Sequence, residues 1–383
     1  MPRHGMRVSV SVPILVGLLA WGGFTPAAHA QGDRPAPAER DATLRPGDDA
    51  PALEIEAWLV GEGADRLPKD RVSVVVFVAS WSEASERALD WLGPRSRELA
   101  DNGIDVVAVF GQDAAEPTTY GRLETEQSAR AFLDRRASSR IKCAFDKRWR
   151  SRSAWVAAAG LTSIPAAFIV DRQGKVAWIG NPLWPPGEMD DALDQVTKGQ
   201  FGAGERRATR EKWEAVLREL RGLDQTLVSA RNTGRHDIAI GALERLGAID
   251  RLSRGYYTLA KFEIVLLELR DAPRAFAIAR DALESDRNNA QLLNDLSWTI
   301  LTGEDAPARD LPLAQKLGER AVEASEGKNP HYLDTLARAH ADQGRLDDAI
   351  KFQRRAVETT SDPSEREDMA TTLQKYMRTK DGR

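Results

Sequence analysis

The chain has 383 residues, too many for one ordinary domain, so two or three compact units are expected. Apolar residues make up 42% and charged residues 29%, the proportions of a globular protein rather than a disordered or membrane-spanning one. A formal net charge of −4 argues against the basic surface that nucleic-acid binding requires.

Arg3 and Arg7 precede an apolar run from Val8 to Phe24, and Ala28-His29-Ala30 follows it. A positive start, an apolar middle and small residues at the cleavage point predict a signal peptide over residues 1–30. Export of a bacterial type to the periplasm or the exterior is the expected location. Pro13, Gly17, Gly22 and Gly23 weaken the run as a membrane helix, and an uncleaved anchor is the alternative reading. Without residues 1–30 the chain would carry 52 basic and 58 acidic side chains. Residues 31–44 are polar and proline-bearing and predict a flexible linker. Cys143 is the single cysteine, so no internal disulfide can form.

Residues 45–199 predict an α/β domain. Leu53 to Trp58 alternates like a half-buried strand, and Val72 to Ala79 is apolar and β-branched like a central one. A helix is expected from Ser82, a strand over Ile104 to Phe110, and a helix over Thr125 to Arg136. Ile141 to Phe145 predicts a strand and Arg148 to Ala159 a helix. Ala166 to Val170 and Val176 to Ile179 predict strands joined by a turn at Asp171 to Lys175. Met189 to Thr197 closes the unit as a helix. Strands alternating with helices and ending in a hairpin imply a mixed sheet.

Beyond Gly202 strand signals disappear. Residues 200–232 predict a connecting helix, with Trp213, Val216, Leu217, Leu220 and Leu223 on one stripe. Residues 233–378 predict helices joined by short turns. Ala275/Ala282, Ala314/Ala321 and Ala349/Ala356 share one internal spacing, close to the roughly 34-residue tetratricopeptide period from pair to pair.

Residues 45–199 resemble the thioredoxin-like redoxins of the exported TlpA and ResA type, which overlap the AhpC/TSA redoxins. The resemblance is carried by Pro46-Gly47, Ala50-Pro51, Phe77-Val78-Ala79-Ser80-Trp81, Ile164 to Asp171, and Gly174-Lys175. It implies a cis proline at Pro165 and a Cys-x-x-Cys pair after the first central strand. Ser82 and Ser85 stand at those two positions. Residues 330–363 resemble a tetratricopeptide repeat at Leu333, Leu336, Gly344, Ala349 and Ala356, departing at Ala337 where glycine is usual. The fold class is therefore a thioredoxin-like mixed-sheet domain followed by an all-α tetratricopeptide-like domain.

Thiol–disulfide exchange needs a thiolate, whose pKa a helix N-terminus lowers. A serine hydroxyl ionises far above physiological pH and cannot exchange electrons as sulfur does, so no catalytic residue carries over. Ser82 fits a helix N-cap, with Glu83 and Glu86 suiting the helix dipole. Its alternative, a serine nucleophile, lacks a histidine base anywhere between His29 and His236. Cys143 lies in an apolar strand and reads as a small hydrophobe, with a lone reactive thiol as the alternative.

Trp81, Ile164 and Pro165 could keep a peptide-binding rim or serve as ordinary core. The run Lys147 to Arg152 reads as a solvated helix start. His236, His331 and His340 lack metal-ligand spacing, and Gly61-Glu62-Gly63 is too short for a phosphate loop, so no metal or cofactor is expected. By resemblance to tetratricopeptide repeats, His331, Asp334 and Arg338 would line a groove for a protein or peptide partner, against a face packing Leu333, Leu336, Ala337 and His340 between helices. The expected role is an exported protein-binding or assembly factor, with a thioredoxin-family oxidoreductase using Cys143 or a partner's thiol as the alternative.

Overall fold

A computed structural model describes residues 42–111, 124–134, 141–146, 148, 150–161, 164–183, 185–251, 253–303, 306–360 and 363–382. The expected signal peptide, most of the linker, Lys147, Trp149, Thr162 and Ser163 lie outside these.

The first half is one six-stranded sheet. Its strands are β1 (Ile55–Val60), β2 (Val72–Val78), β3 (Ile104–Gly111), β4 (Lys142–Asp146), β5 (Ala166–Val170) and β6 (Val176–Gly180), in the order β1-β4-β3-β2-β5-β6. β2, β3 and β4 run parallel, while β1, β5 and β6 add antiparallel partners. Every residue of β2 is buried, as its unbroken apolar run predicts. Val72, Val74, Val76 and Val78 enter a core shared with α1 (Glu83–Leu92), α3 (Glu126–Asp134) and α5 (Glu188–Thr197). Val75 and Phe77 enter the opposite one, where Trp155 and Phe168 pack edge-on with centroids 5.1 Å apart. The short α2 (Ser96–Asp101) lies between α1 and β3.

Three local expectations shift. β1 starts at Ile55, because Leu53 turns into the core and its N–H donates to Asp65 O at 2.6 Å. The helix expected from Arg148 begins instead at Arg150: α4 (Arg150–Arg152) runs into a π-helical turn, Ser153–Ala157. Asp146 sets that start, its carboxylate accepting from the Ser151 and Arg152 amides at 2.9 and 2.8 Å. The expected linker ends early: Ala42 and Leu44 are buried, and the Thr43 and Leu44 amides donate to Ala158 O.

The second half is all-α: α6 (Ala203–Asn232), α7 (His236–Ile249), α8 (Arg254–Glu263) with a π-helical extension Ile264–Glu268, α9 (Ala272–Ser285), α10 (Ala290–Thr302), α11 (Leu311–Ala324), α12 (Pro330–Asp342), α13 (Leu346–Thr359) and α14 (Pro363–Asp381). The alanine pairs fall at the fourth and eleventh residues of α9, α11 and α13, and all six are buried. A methyl side chain there lets neighbouring helices approach closely.

One continuous helix, α6, joins the halves. Its first turns face the sheet domain, where Arg206 reaches Asp171 at 2.6 Å, Arg210 reaches Asp48 at 3.1 Å and Arg45 reaches Glu214 at 3.0 Å. Asp171 also closes the β5–β6 turn by accepting from the Gln173 and Lys175 amides. Leu220 and Ala230, further along α6, belong to the helical core.

Candidate functional site

β2 and β5 pair antiparallel with Phe77 opposite Ala166. Pro165 and the turn carrying Trp81 therefore leave the sheet at the same end, and the Ile164–Pro165 bond is cis. Pro165 is buried, while Trp81 and Ile164 are half-buried.

Ser82 caps α1, its Oγ accepting from the Ser85 amide at 3.2 Å. The backbone there is extended (φ −97°, ψ 113°), as an N-cap requires. Ser85 is fully buried, and its Oγ accepts from the Ala79 amide at 3.2 Å. Both hydroxyl oxygens thus hold the backbone of the turn in place.

A third group, absent from the sequence-based candidates, completes the turn. Glu124 is fully buried and accepts from the Ser80 amide at 2.6 Å and the Ser128 hydroxyl at 2.9 Å. Thr125 and Ser128 bond each other's amides reciprocally at the start of α3, at 2.9 and 3.0 Å. That Thr-x-x-Ser spacing was the local signal available in the sequence. It marks a helix start but does not foretell that the acid beside it meets Ser80.

Cys143 lies in β4, 2% exposed, with its Sγ 3.6 Å from Ile141 O. Burial pushes its thiol up to about 12. The reactive thiolate is then scarce at neutral pH. The basic run is only partly described: Arg150 is exposed and pairs with Glu54 at 2.7 Å.

On α12 the proposed groove residues bond within the chain. His331 Nε2 lies 3.2 Å from Glu365 on α14, Asp334 accepts from the Gln353 amide group on α13 at 2.6 Å, and Arg338 donates to Asp342 at 2.7 Å. Burial raises the Asp334 carboxyl above its ordinary range, opposed by the Gln353 bond and the charges of His331 and Arg338. Leu333, Leu336, Ala337 and His340 are buried on the neighbouring face, with the His340 ring stacked on Phe352 at 5.2 Å. Among the described residues no three His, Cys, Asp or Glu gather as a metal site.

The strand order, the three parallel central strands, the antiparallel terminal hairpin and the cis proline beside the β2 turn define a thioredoxin-like domain, followed by an all-α region. No family model matches the chain. Protein FixW of Rhizobium leguminosarum is 22% identical over 161 residues, covering 42% of this chain and 70% of that protein. A Chlorobium tepidum structure described as a thiol:disulfide interchange protein DsbE is 24% identical, covers 42% of this chain and 100% of its own, and has a TM-score of 0.31. A thiol-disulfide isomerase from Corynebacterium glutamicum is 13% identical, with 39% and 96% covered and a TM-score of 0.30.

Proposed function

We propose that this chain is an exported protein-binding or assembly factor: a thioredoxin-like domain without thiol–disulfide chemistry, joined to a tetratricopeptide-like interaction module. The observation that carries this reading is the turn after β2. Where exchange chemistry needs two sulfurs, Ser82 and Ser85 hold backbone amides with oxygens that cannot form a disulfide. The equivalent placement of the alanine pairs in α9, α11 and α13 supports a repeat array. The partner class is a protein or peptide, met by the helical array and by the rim of Trp81, Ile164 and Pro165. Engagement of His331 and Asp334 requires α14 and α13 to yield their contacts to them, and engagement of Arg338 requires it to leave Asp342 on its own helix.

The thioredoxin-like fold with its cis proline favours a second reading, an oxidoreductase using Cys143 or a partner's thiol. Insulin reduction and peroxide turnover separate the two. The binding reading expects background rates from wild type and Cys143→Ser alike. Turnover that Cys143→Ser abolishes would overturn it. For the groove, a pull-down compares the wild-type chain with Arg338→Glu and Asp334→Lys, each first shown to melt as wild type does. Equal recovery of every interactor removes the groove from the proposal.

A further inference from the structure

Near the end of the helical array, α12 and α13 bury an ionisable side chain between them. His340, in the last turn of α12, is 5% exposed, and its ring stacks on Phe352 of α13 with 6° between the two planes. Both ring nitrogens are shielded from solvent and hydrogen-bond to none of the described residues. A neutral imidazole carries one N–H, so either tautomer leaves a donor unsatisfied there. The charged form adds a second donor and a full charge to the same setting, at far greater cost.

The charges around the ring come from several elements. Glu319 acts on it from α11, Arg345 from the turn before α13, and Asp348 and Lys351 from α13. Asp348 Oδ2 is 3.8 Å from Nδ1, beyond hydrogen-bonding distance, and its side chain is half exposed. From α14, Tyr376 packs with Ala337, Ala349 and Phe352, and burial raises its phenol so that it stays neutral. α10 carries one charged side chain, Asp295, which acts on Glu263 of α8. Burial, helped by Arg345 and Lys351, outweighs Asp348 and Glu319 and holds His340 below the ordinary histidine value of 6.5. Its contribution to stability is therefore complete above about pH 6.5 and is lost as pH falls through the lower folded value. Asp334 acts in the opposite sense on the same helix pair, because burial raises its carboxyl, and a charged His331 is held by Glu365 at 3.2 Å. Of these three groups His340 is the one that favours opening in acid.

Position decides what that loss releases. In stacked helix pairs each pair rests only on its neighbours, so one at the end can open while the rest stays folded. Beyond α12 and α13 lies α14 alone among the described elements. We propose that His340 is an acid-sensitive catch between α12 and α13: a proton taken up by its ring parts the two helices and leaves the sheet domain folded. The catch stands apart from the binding role above, since it needs no partner.

The test is hydrogen–deuterium exchange of the full chain at about pH 7.5 and about pH 5.5, either side of the histidine range, corrected for the pH dependence of exchange itself. In wild type α13 should exchange faster at the lower pH by up to roughly tenfold, the proton excess on an unfolded histidine about one unit below its ordinary value. The strand β2 should keep its rate. His340→Phe keeps a ring against Phe352 and takes up no proton, so its α13 should exchange alike at both pH values. A wild-type α13 without acid acceleration overturns the proposal, and that result is readable even if His340→Phe does not fold. An acid response of wild-type size in His340→Phe overturns it as well. So does equal acceleration of β2 and α13, which would make the opening global.

Discussion

The sheet domain and the helical region both bury carboxylates, but they surround them differently. In the sheet domain backbone amides meet the acid: Asp146 accepts from Ser151 and Arg152, Asp171 from Gln173 and Lys175, Glu124 from Ser80. An amide is fixed by the chain around it, so each of these acids fastens a turn or a helix start. Burial still raises Asp146 above the ordinary carboxylate range, with its two amide bonds offsetting part of the effect. In the helical region the neighbours are side chains. Burial pushes Glu263 up to about 7, opposed by Arg231 and reinforced by Asp295 and Glu268. The first arrangement sets geometry, and the second makes stability depend on protons.

The largest expected change comes from placing sulfur in the turn after β2 of the sheet domain. Ser82→Cys with Ser85→Cys places thiols at the start of α1, and insulin reduction should rise at least about tenfold above background. No gain, with an unchanged circular dichroism spectrum, would mean that the turn differs from a redox site by more than two atoms.

Next in size is the proton dependence of the helical region. Burial holds the Glu263 carboxyl at about 7, above its ordinary value of 4.5, so its folded form binds the proton more tightly. Stability is therefore full below about pH 4.5 and falls as pH rises through about 7, by at most about 3 kcal/mol. Urea melts should find Glu263→Gln more stable than wild type at pH 8 and close to it at pH 4. A variant with the wild-type pH slope would assign the slope to other groups.

In the sheet domain, Asp146→Ala leaves the Ser151 and Arg152 amides without their acceptor and should cost about 2 kcal/mol in a denaturant melt. The smallest effect is expected at Ser82→Ala, which removes one N-cap bond for about 1 kcal/mol. A loss at Ser82 as large as that at Asp146 would give the serine a structural weight beyond capping.

Particular residues show why some features were legible in the sequence and others were not. The buried run of β2, the Gly174 turn and the α1 start at Ser82 depend on neighbours a few positions away, and pattern alone places them. The alanine spacing likewise announces repetition before any contact is known. The late start of α4 needed Asp146 and its capping bonds to be seen. Glu124 stayed hidden because its partner Ser80 lies 44 positions away. The contacts of His331 and Asp334 depend on where α13 and α14 come to rest, which helical periodicity on α12 does not state.

By itself, then, the sequence determined an α/β unit followed by helices, the central apolar strands, serines rather than cysteines at positions 82 and 85, and the recurrent alanine spacing of the helical region. These follow from hydrophobic spacing, turn residues and side-chain chemistry, all of which act over short stretches of chain. Only the tertiary structure decided that Glu124 closes the serine turn and that Arg206 on α6 reaches Asp171 in the sheet domain. These join positions 44 and 35 residues apart, and their meeting depends on how whole elements pack rather than on any local preference.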